Sequence, residues 1–396
     1  MAQPLRVALI GQQFMGRAHS NAWGQAARFF ELRRAPVLET VAARDPRALA
    51  AFARRWGWAR WTTDWRTLAA DERLDLVDIA TPNHLHAAPA IAMLRAGKHV
   101  ACEKPLAATL AEARTMRDAA ARAARRGVRS FVWFNYRRCP AVALAWQLVQ
   151  QRRLGTIRQV RARYLQSWGG PTTPLTWRFQ KALAGSGAHG DLNAHLVDLV
   201  RFLTGQEIEE IHGAAARTFV TERPLPGRRG LRGASSGRAR ARRGRSDVDD
   251  CLLFVAGLSG GGLASFEASR VATGHHNDHG LELNGERGSL RFDFEDMNAL
   301  WLHEPAPDGR RSEGWRRILV TAAEHPWLGR WWPEGHVLGY EHTFVNMAAD
   351  IVGALSGRKP VVPLPDFAAG YETQRVLEAA LRSVKARRAV KLGTVR

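Results

Sequence analysis

Cysteine is scarce in this chain of 396 residues: Cys102, Cys139 and Cys251 are odd in number and match no metal-ligand spacing. That excludes a disulfide framework and points to free thiols in a reducing cytoplasm. Long apolar runs are missing too. None approaches the roughly 18 residues that cross a bilayer, and Val7–Ile10 is too brief for a signal-peptide core, so no membrane role is expected. Lysine is also rare. Six lysines leave 52 arginines among the 58 basic residues, a bias that G+C-rich coding produces without selection for nucleic acid. Acids are absent from residues 228–245, which hold eight arginines. Such a stretch buries too little apolar area to offset its ordering entropy, so residues 223–247 are expected to form a flexible Arg-rich loop. Despite a net charge of +21, it is read as a solvated charge run with no specific nucleic-acid partner.

What remains is ordinary for a globular protein: 45% hydrophobic residues and enough length for two cores. Strand-like runs at Leu5–Ile10, Val37–Ala42, Leu76–Ala80, His99–Cys102 and Phe131–Phe134 alternate with helical stretches at Met15–Phe30, Pro46–Trp56, His84–Ala96 and Leu110–Arg126. This alternation predicts an α/β fold whose N-terminal domain, residues 1–135, is a doubly wound parallel sheet of Rossmann type. Residues 136–396 change character. A helix near Cys139–Arg153 and a helix carrying Asp191 and His195 give way to consecutive strand-like runs, including Asp249–Leu258 and Gly262–Ser269. Strands without intervening helices imply an open, mainly antiparallel sheet in a second α/β domain.

Gly11–Gln12–Gln13–Phe14–Met15–Gly16 follows a strand and opens a helix, where backbone N–H groups meet a pyrophosphate. Gly11 suits a tight turn and Gly16 close helix–strand packing. Gln13 stands where a glycine usually lets the phosphates approach. A ligand-free turn is the competing reading. At the end of the second strand, Arg44 fits a 2′-phosphate and makes NADP(H) the preferred cofactor, while neighbouring Asp45 keeps NAD(H) open. Both are otherwise solvated turn residues.

Gly185–Ser186–Gly187–Ala188–His189–Gly190–Asp191–Leu192–Asn193–Ala194–His195 and Glu103–Lys104–Pro105 bring together an aspartate, a histidine and a lysine. A helix over 188–204 puts Asp191 and His195 on one face, and Lys104 ends a buried strand facing the same cleft. This is equipment for hydride transfer: a base for the hydroxyl proton and a cation for the oxygen. Separately, each residue also suits a structural role, as a helix-terminus carboxylate, a core histidine and a surface lysine.

With His19 after the Gly11–Gly16 turn, and with Thr81–Pro82–Asn83–His84–Leu85–His86 and Ala96–Gly97–Lys98–His99–Val100 in the same order, the chain resembles the Gfo/Idh/MocA family of glucose-fructose oxidoreductase and inositol dehydrogenase. The resemblance implies a Rossmann domain followed by an open-sheet α/β domain, often paired through that sheet into a homodimer or homotetramer. It implies an NAD(P)-dependent dehydrogenase or reductase acting on a sugar, inositol or related polyol. Thr81, Pro82, Asn83, His86 and Glu103 would line the nicotinamide ribose. Lys104, Asp191 and His195 would meet the substrate alcohol, with Asp198 one turn further in support. His195 is expected as the general base. Asn193 replaces a glycine common in the motif, a change asparagine tolerates if the backbone is left-handed.

Asn135, Tyr136, Arg137 and Trp168 are expected on the substrate side, where Trp168 or Trp177 stacks on a sugar unless either is core packing. His336, Tyr340 and His342 also fall near the cleft, but their spacing does not suggest a metal, and none is expected. Two other readings stay open: a ligand-sensing regulator of the same fold, and glycoside hydrolysis by transient oxidation.

Overall fold

The computed structural model describes residues 2–226 and 242–396. The first lobe has strands β1 (Leu5–Ile10), β2 (Pro36–Ala42), β3 (Arg60–Thr62), β4 (Leu76–Ile79), β5 (His99–Cys102) and β6 (Ser130–Val132). They form one sheet in the order β3-β2-β1-β4-β5-β6, parallel throughout. Residues of β1 and β4 are almost all buried, as both faces of the sheet are covered. The covering helices are α1 (Phe14–Phe29), α2 (Pro46–Trp56), α3 (Thr67–Ala70), α4 (Ala87–Arg95) and α5 (Leu110–Ala124). Their ends follow local chemistry. Asp45 caps α2 by accepting from Ala48 N with Pro46 in the first turn, Gly57 (φ +78°) ends it, and Thr109 with Glu112 makes a capping box on α5. The strand order reverses between β1 and β4, so a crevice opens at their carboxyl ends.

The second lobe begins with α6 (Pro140–Gln150) and β7 (Ile157–Leu165), followed by α7 (Lys181–Ala184) and α8 (Ala194–Thr204). Strands β8 (Ile208–Arg217), β9 (Glu222–Pro224), β10 (Arg243–Arg245), β11 (Cys251–Leu258), β12 (Leu263–Ser269), β13 (Asp278–Gly285), β14 (Ser289–Asp293), β15 (Ala299–His303) and β16 (Trp315–Leu319) come next. Helices α9 (Tyr340–Leu355) and α10 (Phe367–Ala386) and the short β17 (Val390–Lys391) end the chain. Nine of these strands make one sheet, β16-β15-β14-β13-β7-β12-β11-β8-β17, antiparallel except where β12 runs parallel to β7. Alternation in β11 buries Leu252, Phe254 and Ala256 and leaves Leu253 and Val255 exposed. One face of the sheet is core and the other is open.

The Arg-rich segment departs from a simple loop. Residues 227–241 lie outside the described residues, and the ends of the segment pair as the antiparallel β9–β10 ribbon. Arg223 is fully buried. It bridges Asp250 at 2.9 Å, donates to Gly170 O and lies 3.6 Å from the Phe179 ring centre. A guanidinium with a carboxylate, a carbonyl and an aromatic face no longer behaves as solvated charge.

Candidate active site

Gly11 has φ +122°, and a Cβ there would lie 2.5 Å from Ala80 O; a Cβ on Gly16 would meet Gly11 O at 2.4 Å. Both glycines are steric requirements of the turn. Gln13 is exposed and precedes α1 with φ −84°, a conformation open to any residue, and its side chain makes no capping bond. Replacing the central glycine therefore introduces no backbone strain. The N–H groups of the first turn of α1 remain available to an anion. Arg44 is exposed at the end of β2, while the Asp45 carboxylate is engaged by Ala48 N at 3.1 Å.

After β4, Thr81 carries a buried Oγ1 with no hydrogen-bond partner among the described residues. This orphaned hydroxyl, with the glycine cradle, fits a nucleotide along the crevice. Pro82 enters a short turn over Asn83–Leu85, and Asn83 donates to Ala184 O at 3.0 Å. His86 is braced inside the protein. Its ring nitrogens lie 2.8 Å from Thr81 O and 3.1 Å from Pro105 O, and it shapes the turn without lining the cavity.

At the end of β5, Glu103 accepts from Lys104 N through Oε2 at 3.1 Å, and its Oε1 lies 3.0 Å from His19 Nε2. Lys104 Nζ reaches across to Asp191 Oδ1 at 2.8 Å and Asp191 O at 3.1 Å. Asp191 Oδ2 accepts from Arg270 Nη2 at 2.9 Å. Burial alone would raise the Asp191 carboxyl; Lys104, then Arg270 and Arg178, pull it well below the usual carboxylate range. Burial, then the charge of Lys104, hold the His195 imidazole well below its ordinary value against the pull of Asp191. His195 is neutral at physiological pH, with no hydrogen-bond partner among the described residues, beside the Tyr136 ring at 4.6 Å between centres.

Asp191 and His195 are not on one regular α-helix. His189–Asn193 is a π-helical turn leading into α8, a local widening that recurs at functional sites. The carboxylate and the imidazole still face one cavity, but Asp191 bonds to cations from β5 and the end of β12, not to His195. Asn193 has φ −63°, so no left-handed residue is needed; its side chain donates to Leu252 O.

That cavity has a volume of about 420 Å³, the size of a small-molecule site. Phe14, Met15, Thr81, Asn83 and Glu103 line its end at the carboxyl ends of β1, β4 and β5. Lys104, Asn135, Tyr136, Trp168, Asp191 and His195 line the rest, with Trp177 and Tyr340. Arg137 does not join them. It forms a buried bidentate pair with Asp198 at 2.6 and 2.8 Å, which removes both charges from the cleft. His336 is exposed, and His342 accepts from Gly339 N at the start of α9. Among the described residues no His, Cys, Asp or Glu group could hold a metal ion, and no helix is long and apolar enough to cross a membrane.

Sequence reasoning missed Arg270 and the pairing of His19 with Glu103. It also missed a polar wall in which Tyr164 Oη contacts Tyr136 Oη and Asn277, with Gln166 donating to Asn277 at 2.7 Å. Arg270 is one arginine among many, and only its place after the alternating apolar residues of β12 could have marked it.

Residues 5–131 match the family model described as an oxidoreductase family with an NAD-binding Rossmann fold, and residues 142–291 match the GFO/IDH/MocA C-terminal domain. Levoglucosan dehydrogenase of Pseudarthrobacter phenanthrenivorans is 39% identical over 385 residues, covering 96% of each chain. The crystal structure of an oxidoreductase domain protein from Kribbella flavida superposes with a TM-score of 0.91 at 47% identity, covering 99% of this chain and 100% of that one. A levoglucosan dehydrogenase in complex with NADH and L-sorbose gives 0.90 at 37%, covering 99% of both. The chain belongs to the Gfo/Idh/MocA family of oxidoreductases.

Proposed function

We propose that this protein oxidises or reduces a CH–OH group of a sugar or cyclic polyol at the expense of a nicotinamide nucleotide held along the β1–β4 crevice. The observation that carries this reading is the convergence of Lys104, Asp191 and His195 on one cavity whose other end is walled by Thr81 and Glu103. The nicotinamide, when bound, supplies the two-electron hydride chemistry. His195, neutral and buried, takes the hydroxyl proton in the oxidative direction and returns it in the reverse direction. Lys104 donates to the substrate oxygen as its charge builds. Asp191, ionised between two cations, fixes the ammonium and accepts from a substrate hydroxyl; its lowered proton affinity makes it a poor base. Gly11, Gln13, Phe14, Met15 and Gly16 hold the pyrophosphate, and Glu103 the ribose. Trp168 offers an apolar sugar face a ring to stack on.

Arg44 favours NADP(H), because it is free to meet a 2′-phosphate while Asp45 is engaged in capping α2. The relatives that carry NADH keep NAD(H) as the second nucleotide to test. Copies of the chain pair through the open face of the nine-stranded sheet, where Leu253, Val255 and Leu263 are exposed side by side, in keeping with a cytoplasmic homo-oligomer. Fluorescence titration with NADH and NADPH, followed by a panel of aldoses, inositols and anhydrosugars including levoglucosan, tests the reading. Binding of one nucleotide and its sugar-dependent turnover are expected. Failure of both nucleotides to bind would favour a ligand sensor.

A further inference from the structure

Beneath the cavity Glu103 is backed by buried residues that the proposed chemistry does not use. His19, on α1, places Nδ1 3.0 Å from Asp78 Oδ2 and Nε2 3.0 Å from Glu103 Oε1, with its side chain and that of Asp78 fully buried. Asp78 is already well served by other donors: Trp23 Nε1 reaches Oδ2 at 2.7 Å and Trp133 Nε1 reaches Oδ1 at 2.8 Å. The imidazole lies against Trp133, 4.2 Å between ring centres, and Phe344, at 5.7 Å, flanks it. Of the two carboxylates, Glu103 lines the cavity.

A neutral imidazole has one N–H. It can donate to one of these carboxylates, but its bare nitrogen would then oppose the lone pairs of the other. Two N–H groups satisfy both acceptors, and the ring then carries a charge that offsets theirs. We infer that His19 is a positioning residue, a doubly hydrogen-bonded imidazolium that fixes the Glu103 carboxylate toward the ribose of the bound nucleotide. The inference rests on the nucleotide reading above. It gives α1 two duties: its first turn presents N–H groups to the phosphates, and its second holds the carboxylate that meets the sugar.

The surroundings favour the charged ring. Burial pushes the imidazole down, but Asp78 and then Glu103 reverse this and raise it to about 9. Trp23, Trp133 and Phe344 contribute no charge. Burial, together with the same two carboxylates, holds the neighbouring Cys102 thiol protonated, and burial pushes the His86 imidazole down. Lys104, beside Glu103, is turned to Asp191.

Two measurements on the full chain test this. Imidazole NMR from about pH 6 to about pH 11, with the His19 signal assigned by its loss in His19→Gln, should show a ring that stays protonated at neutral pH and titrates near 9. A ring neutral at pH 7 overturns the proposal. NADH and NADPH titrations should show Kd raised about 10- to 100-fold in His19→Gln and in Glu103→Ala, the loss of one charge-assisted hydrogen bond. The double variant should be no weaker than Glu103→Ala, because His19 acts through Glu103. Effects that multiply instead indicate a merely structural histidine and overturn the proposal. If His19→Gln does not fold, the pH dependence decides: nucleotide affinity of the wild type should fall as pH passes about 9, and that of Glu103→Ala should not. A wild type that binds no nucleotide defeats the underlying reading as well, whereas wild-type binding with independent variants defeats this inference alone.

Discussion

Arg270 donates from Nη2 to Asp191 Oδ2 at 2.9 Å, on the side of the carboxylate opposite Lys104. The Arg270 side chain is almost fully buried and also donates to Arg178 O. Asp191 is thereby fixed in place and in charge, and it in turn fixes the Lys104 ammonium. Replacing Arg270 with Met should lower kcat/KM about 10- to 100-fold, the loss of a charge-assisted hydrogen bond. Steady-state kinetics check this, with nucleotide Kd as the control that should move little.

His195 supplies the second prediction. As general base its replacement by Ala should reduce kcat by about 10²–10⁴ with the fold intact. The sign of the pH dependence follows from its depressed proton affinity. Protonation removes the base, and this happens only well below the ordinary imidazole value of about 6.5. The acid limb of kcat/KM for oxidation should therefore lie below pH 6.5; a limb above it would contradict a buried, neutral His195.

Cofactor choice gives the third. Arg44→Asp removes a guanidinium that suits a 2′-phosphate and adds a like charge, so KM for NADPH should rise about 10-fold or more while KM for NADH changes little. Parallel kinetics with the two nucleotides read the ratio. An unchanged ratio would remove Arg44 from the nucleotide site.

A fourth concerns stability, separate from chemistry. Arg137 and Asp198 form a buried pair, and Arg137→Ala would leave a buried carboxylate without its partner, at a cost of about 3–5 kcal/mol. Urea denaturation measures it. A hydrophobic replacement of both residues should be much better tolerated, which would separate burial of charge from loss of packing.

How far the sequence carried these conclusions depends on the distance over which each interaction acts. Asp45–Pro46 set the start of α2 to the residue because the capping hydrogen bond is local. Glu103–Lys104 and Asp191–His195 were legible as motifs, and the structure brings their side chains to one cavity. The ion pair of Asp191 with Arg270 was not, since 79 residues separate the two and nothing marks one arginine in a chain so rich in them. Helical periodicity assumes 3.6 residues per turn, so it missed the π turn at His189–Asn193. Charge density alone misread Arg223, whose partner Asp250 lies on the far side of the basic stretch. Arg137 was misplaced for a related reason: its position at a strand end pointed to the cleft, but Asp198 offered it a buried carboxylate.

The most direct test of the central claim is isotopic. A sugar or polyol that the enzyme oxidises is supplied with deuterium on the carbinol carbon, and the reduced nucleotide is examined by mass spectrometry. One deuterium should be transferred intact to the nucleotide, with transfer suppressed in His195→Ala and in Lys104→Met. Reduced nucleotide that carries no label, or label that appears in water, would contradict direct hydride transfer in this cleft.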